Sequence, residues 1–103
     1  MELDRQGMLS HPEKIAAICT KESCGACQRF KPKMTDLKEI LRRNGYNPID
    51  VDCATKKGIK LLLDSTPSGE SATVPNVIVF SNGKSKKIHP EEIMENEKVL
   101  LKI

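Results

Sequence analysis

The sequence predicts an α/β fold, a mixed four-stranded sheet in the order βαβαββα with helices on both faces. Three features lead there. Short apolar runs of strand length alternate with segments whose apolar residues recur every three or four positions, the pattern of strands joined by crossover helices. Asn82-Gly83 lies between two strand-like runs, the dipeptide of a tight type I′ hairpin, and adds an antiparallel pair. A chain of 103 residues, 38% hydrophobic and 30% charged, is long enough to close one core and too short for a second.

Residues 1–13 show no clear period and read as an irregular or partly helical lead-in; residues 14–103 form the domain. "KIAAICT" (residues 14–20) is an apolar run of strand length and predicts a buried strand. From Gly25 onward, Cys27, Phe30, Met34, Leu37 and Leu41 fall on one face of a helix that ends near Asn44-Gly45. Pro32 lies inside it, where it deletes a backbone hydrogen bond and should bend the axis. "YNPIDVDC" reads as the second strand and "ATKKGIKLLLDS" as a helix weakened by Gly58. The first two strands, joined through a helix, should be parallel with a right-handed crossover. A polar loop, "STPSGESA", leads into the hairpin "TVPNVIVFSNGKSKKIHP". Pro90, Glu91 and Glu92 suit a first turn and open a last helix running to the C-terminus.

The composition narrows the function. The net charge of +3 is mild, and one tyrosine, two phenylalanines and no tryptophan offer little for bases to stack on, which argues against nucleic acid as a partner. The opening "MELDRQGMLSHPEK" carries acids and no apolar core, and no later run approaches membrane-spanning length. The expectation is a cytoplasmic protein, a monomer without a membrane partner. In a reducing compartment a close cysteine pair is catalytic or metal-binding more often than structural.

Such a pair stands where the first strand gives way to the first helix, in "TKESCGACQRFKP". With the helix starting at Gly25, Cys24 occupies the N-cap, where free N–H groups and the positive end of the helix favour a thiolate. Cys27, one turn inward on the apolar face, is the shielded partner. Cys24 would attack a substrate disulfide, and Cys27 would resolve the mixed disulfide. Lys21 is either a cation that favours the thiolate or binds a ligand carboxylate, or a solvated surface lysine. A zinc site would need four ligands, and Cys19, Cys53, His11 and His89 make no second close pair, so no metal is assigned. Cys19 and Cys53 read as buried small hydrophobes. "GKS" at residues 83–85 lacks the upstream glycine of a phosphate loop. Lys31, Lys33, Lys38, Arg42 and Arg43 read as a solvated helix surface, and Lys84, Lys86 and Lys87 as protection of a sheet edge.

A strand ending in C-x-x-C on a helix, followed by "TVP" before a β-hairpin, resembles the thioredoxin fold over residues 14–102. The resemblance implies that Pro75 is cis and packs against Cys24 and Cys27, and that Val74 offers backbone hydrogen bonds to an extended substrate. Lys21, Thr73-Val74-Pro75, the short segment before the first strand, and Ile18 where thioredoxins carry a buried acid resemble the glutaredoxins. On that likeness Lys21 takes the position of a lysine that binds the glutathione carboxylate. "KSKKIHPEE" departs from the glutaredoxin pattern, which follows the hairpin with a Gly-Gly pair. "CGAC", Pro32 and "FSNGK" resemble thioredoxins, although Ser23 stands where those carry tryptophan. The expectation is a glutaredoxin-like or small thioredoxin-like dithiol oxidoreductase with no bound cofactor and glutathione as reductant. Its substrates would be protein disulfides or glutathione mixed disulfides. A metal or iron–sulfur carrier and a non-catalytic adaptor are the alternatives.

Overall fold

In the computed structural model, which describes residues 4–103, β1 (Ile15–Thr20) runs through the middle of a four-stranded sheet of order β2-β1-β3-β4. It pairs in parallel with β2 (Asn47–Asp52) and antiparallel with β3 (Asn76–Ser81), and β3 pairs antiparallel with β4 (Lys84–Ile88). The two central strands are buried on both faces, which is why each reads as a nearly unbroken apolar run. The edges are blunted. Pro48 sits in β2, where its missing N–H costs no ladder bond on the open side, and Lys84, Lys86 and Lys87 populate β4.

The β3–β4 turn has the predicted form. Ser81 pairs with Lys84, and Asn82 and Gly83 between them have φ of 53° and 77°, the left-handed values a two-residue type I′ loop requires.

Side-chain alternation divides the core in two. Ala16 and Ile18 of β1 join Val77 and Val79 of β3 on one face, covered by Phe30, Leu37, Leu41 and Ile93. Those residues come from α2 (Gly25–Phe30), α3 (Met34–Arg43) and α5 (Pro90–Glu95). Ile15, Ala17 and Cys19 point to the opposite face with Ile78 and Phe80, under Met8 of α1 (Arg5–Ser10) and Leu61 and Leu62 of α4 (Lys56–Asp64). Full burial of a leucine or isoleucine contributes about 1.5–3 kcal/mol, so these side chains are the principal tie between helices and sheet. Among the described residues no helix is long and apolar enough to cross a membrane.

Three expectations change in detail. The first helix is not continuous: Pro32 lies in a 3-10 segment (Lys31–Lys33) between α2 and α3, because proline has no N–H to continue the α-helical ladder. The last helix stops at Glu95. Asn96 adopts an extended conformation (φ −152°), its side chain accepts from the Lys98 N–H, and a 3-10 segment (Glu97–Lys102) follows. Gly58 is required rather than merely tolerated, since a Cβ there would lie 2.1 Å from the carbonyl oxygen of Asp52. It lets the first turn of α4, capped by Thr55 Oγ1 accepting from the Gly58 N–H, press against the end of β2.

Candidate active site

At the end of β1 the chain turns sharply, the Cys24 N–H donating to the Lys21 carbonyl at 3.0 Å, and α2 begins. Cys24 is the N-cap, extended at φ −86° and ψ 118°, and its Sγ accepts from the Cys27 N–H at 3.3 Å. This thiol also donates to the carbonyl oxygen of Val74 at 3.4 Å. Cys24 is half-buried; Cys27 is only 6% exposed.

The two thiols are electrostatically unequal. Cys24 is held below the ordinary thiol range, first by the hydrogen bond from the Cys27 side chain, then by the N–H groups of Cys27 and Ala26 and the charge of Arg29. Burial, followed by the hydrogen bond it gives to Cys24, pushes Cys27 up. Of the two thiols, Cys24 is thus the one whose surroundings favour the thiolate, the form that attacks disulfides.

The loop before β3 forms the facing wall. The Val74–Pro75 peptide bond is cis, Pro75 is buried, Val74 half-buried and Thr73 exposed. Asn76, a buried polar residue, pins this loop: its Nδ2 donates to the Thr73 carbonyl at 3.3 Å, and its Oδ1 accepts from the Val77 N–H at 3.0 Å. Between Ala26, Arg29 and Phe30 on one side and Pro75, His89 and Glu91 on the other runs a groove of about 290 Å³. A second cleft, of about 440 Å³, opens beside Cys27 and is lined by Lys21, Gln28, Lys31, Lys38, Asp50 and Asp52, among others.

Cys24, Cys27, Val74 and Pro75 are thus brought together, with Thr73 at the outer end of the loop. Lys21 is exposed at the mouth of the second cleft and takes part in none of the described ion pairs. The cation acting on Cys24 is Arg29, which the sequence reading passed over; its guanidinium folds back to within 3.4 Å of where a Gly25 Cβ would stand. The signal was its position on the same short helix as the N-cap thiol. Also missed were His89 and Glu91, placed at Pro75 by the start of α5, with His89 Nδ1 accepting from the Glu91 N–H at 3.1 Å. The basic surface of the 3-10 segment and α3 is partly tied down: Lys33 pairs with Glu91, Lys38 with Asp50 and Arg43 with Glu97. Among the described residues no three His, Cys, Asp or Glu side chains are grouped to hold a metal ion.

No protein-family profile matches the chain, and no curated protein matches it. Solved structures do. Thioredoxin from Trypanosoma brucei brucei superposes with a TM-score of 0.66 over 95% of this chain and 83% of that one, at 16% identity. Mitochondrial thioredoxin 3 from Saccharomyces cerevisiae, in its oxidised form, superposes at 0.63 over 90% of this chain and 84% of its own, also at 16% identity. Oxidised thioredoxin from Plasmodium falciparum does so at 0.58, covering 93% and 94% of the two chains at 17% identity. Sheet order, the cysteine pair at the start of α2 and these superpositions lead to one conclusion: the chain has the thioredoxin fold.

Proposed function

We propose that the protein is a glutaredoxin-like thiol–disulfide oxidoreductase of the cytoplasm, acting as a monomer on disulfide-bonded proteins or glutathione mixed disulfides, with glutathione as the reductant. The observation that carries the reading is the setting of Cys24 Sγ, which has the Cys27 N–H as donor on one side and the Val74 carbonyl as acceptor on the other.

In this mechanism the Cys24 thiolate attacks one sulfur of the substrate disulfide, and the other half leaves as a thiol. Cys27 then loses its proton and attacks Cys24 Sγ, releasing the second thiol and leaving a Cys24–Cys27 disulfide. Two glutathione molecules restore the dithiol and leave as glutathione disulfide, so electrons and protons balance. Ionisation of Cys24 withdraws its S–H from the Val74 carbonyl, which becomes free to accept from the backbone of an extended substrate lying along Thr73-Val74-Pro75. Lys21, exposed and outside the described ion pairs, binds the glutathione carboxylate at the mouth of the cleft beside Cys27.

The test is reduction of a small glutathione mixed disulfide, driven in parallel by glutathione with glutathione reductase and by thioredoxin reductase. Turnover with glutathione that is lost in Cys24→Ser, with the circular dichroism spectrum unchanged, supports the reading. Turnover with thioredoxin reductase alone overturns the glutathione assignment, and full activity of Cys24→Ser overturns the chemistry itself.

A further inference from the structure

The core holds two more thiols that this mechanism does not use. Cys19 lies in β1, and its register partner in β2 is Val51. Cys53 comes two residues after Val51 and so returns to the same face of the sheet. The ladder extends to reach it, the Cys53 N–H donating to the Thr20 carbonyl at 2.8 Å. Both side chains are buried in the apolar cluster under α4, 0% and 4% exposed. They share that cluster from adjacent strands, and the Cys53 thiol donates to the Gly58 carbonyl at 3.6 Å.

One buried cysteine is an ordinary small hydrophobe. Here there are two, on the same face of adjacent strands and in one core cluster, and the outer one is not sealed in. Cys53 lines an apolar cleft of about 190 Å³ together with Lys21, Ile59, Leu63 and Val74. Val74 is also the residue whose carbonyl receives the Cys24 thiol, so the cleft opens beside the active site. The pair is asymmetric in the sense exchange chemistry uses: the hydrogen bond from Cys19 and the charge of Lys21 hold Cys53 down, while the same bond and burial push Cys19 up.

We propose that Cys19 and Cys53 form a second dithiol, which a small disulfide entering the cleft beside Lys21 and Val74 oxidises to a Cys19–Cys53 disulfide. The Cys53 thiolate attacks one sulfur of the small disulfide, whose S–S bond breaks, and the first half leaves and takes up a proton. Cys19 then attacks the Cys53 sulfur of this mixed disulfide. The Cys19–Cys53 bond forms, the second half departs, and it takes up the proton Cys19 gives up. Two protein thiols are oxidised and one small disulfide is reduced to two thiols. The protein then stores two electron pairs instead of one, and the inference stands independently of the role given to Cys24 and Cys27.

The probe is oxidised glutathione, applied at graded ratios to the reduced full-length chain and to its Cys24→Ser/Cys27→Ser variant. After alkylation and mass measurement, peptide mapping identifies each linkage separately. The expected result is that the wild type passes from four alkylatable thiols to two and then to none. The variant should lose both of its thiols, with the Cys19 and Cys53 peptides linked in each protein. Two thiols that remain alkylatable at every ratio once the protein is unfolded overturn the proposal. So does glutathione that stays on Cys53, or a Cys27–Cys53 link in place of Cys19–Cys53. Because the variant lacks Cys24 and Cys27, a wild type inactive in the reductase-coupled assay leaves this result readable.

Discussion

The thiol of Cys24 and the carbonyl oxygen of Val74 lie 3.4 Å apart, joined across fifty residues of chain. The contact ties the start of α2 to the loop before β3. It also gives Cys24 an acceptor while the thiol is protonated and a neighbour it no longer needs once ionised.

Ionisation of Cys24 has a directional consequence. Its alkylation rate should level off at a pH below the ordinary thiol value, and Cys27→Ala should move that midpoint upward, because the side-chain hydrogen bond is the largest influence on Cys24. The Cys27 N–H survives in that variant, so the midpoint should stop short of a free thiol. A folded-state pKa below the unfolded one means that the ionised group favours folding. This contribution is complete above the unfolded value and is lost as pH falls through the folded one. Iodoacetamide kinetics across pH measure the midpoint.

Arg29 and Lys21 should separate in their effects. Arg29→Gln is expected to raise the Cys24 midpoint by less than Cys27→Ala does, since Arg29 is the smaller influence. Lys21→Gln should leave that midpoint in place and raise KM for glutathione, with kcat retained. Steady-state kinetics alongside alkylation distinguish the two.

Gly58→Ala should destabilise the fold although alanine is the better helix former. The added Cβ meets the Asp52 carbonyl at 2.1 Å, so α4 must move away from the end of β2. An overpacking cost of about 1–3 kcal/mol is expected, read as a lower urea midpoint.

Leu37→Ala removes a fully buried side chain between α3 and the sheet. A loss of about 2–5 kcal/mol is expected, a range set by how far the cavity collapses. Active-site alkylation in the folded fraction should stay unchanged, because Leu37 is fully buried in the core cluster and lines neither cleft beside the cysteines.

Much of this architecture was legible in the chain. "KIAAICT" and "NVIVFS" announce the two buried strands because both faces are covered, and Asn82-Gly83 announces its turn because few residues accept two left-handed conformations in succession. Cys24 and Cys27 declare themselves because capping and one-turn spacing are local effects. Other features required the tertiary structure. The break at Pro32 and the stop at Asn96 depend on which ladder bonds the packed helices can still make. The close approach at Gly58, the fold-back of Arg29 toward Gly25, the placing of Cys19 and Cys53 in one core cluster and the reach of Cys24 to Val74 join groups whose distances spacing does not encode. Sequence by itself determined the elements and the cysteine pair at the helix start, because periodicity, turn chemistry and capping act within a few residues. Only the folded sheet decided what surrounds that pair, since packing selects which distant groups share a cleft.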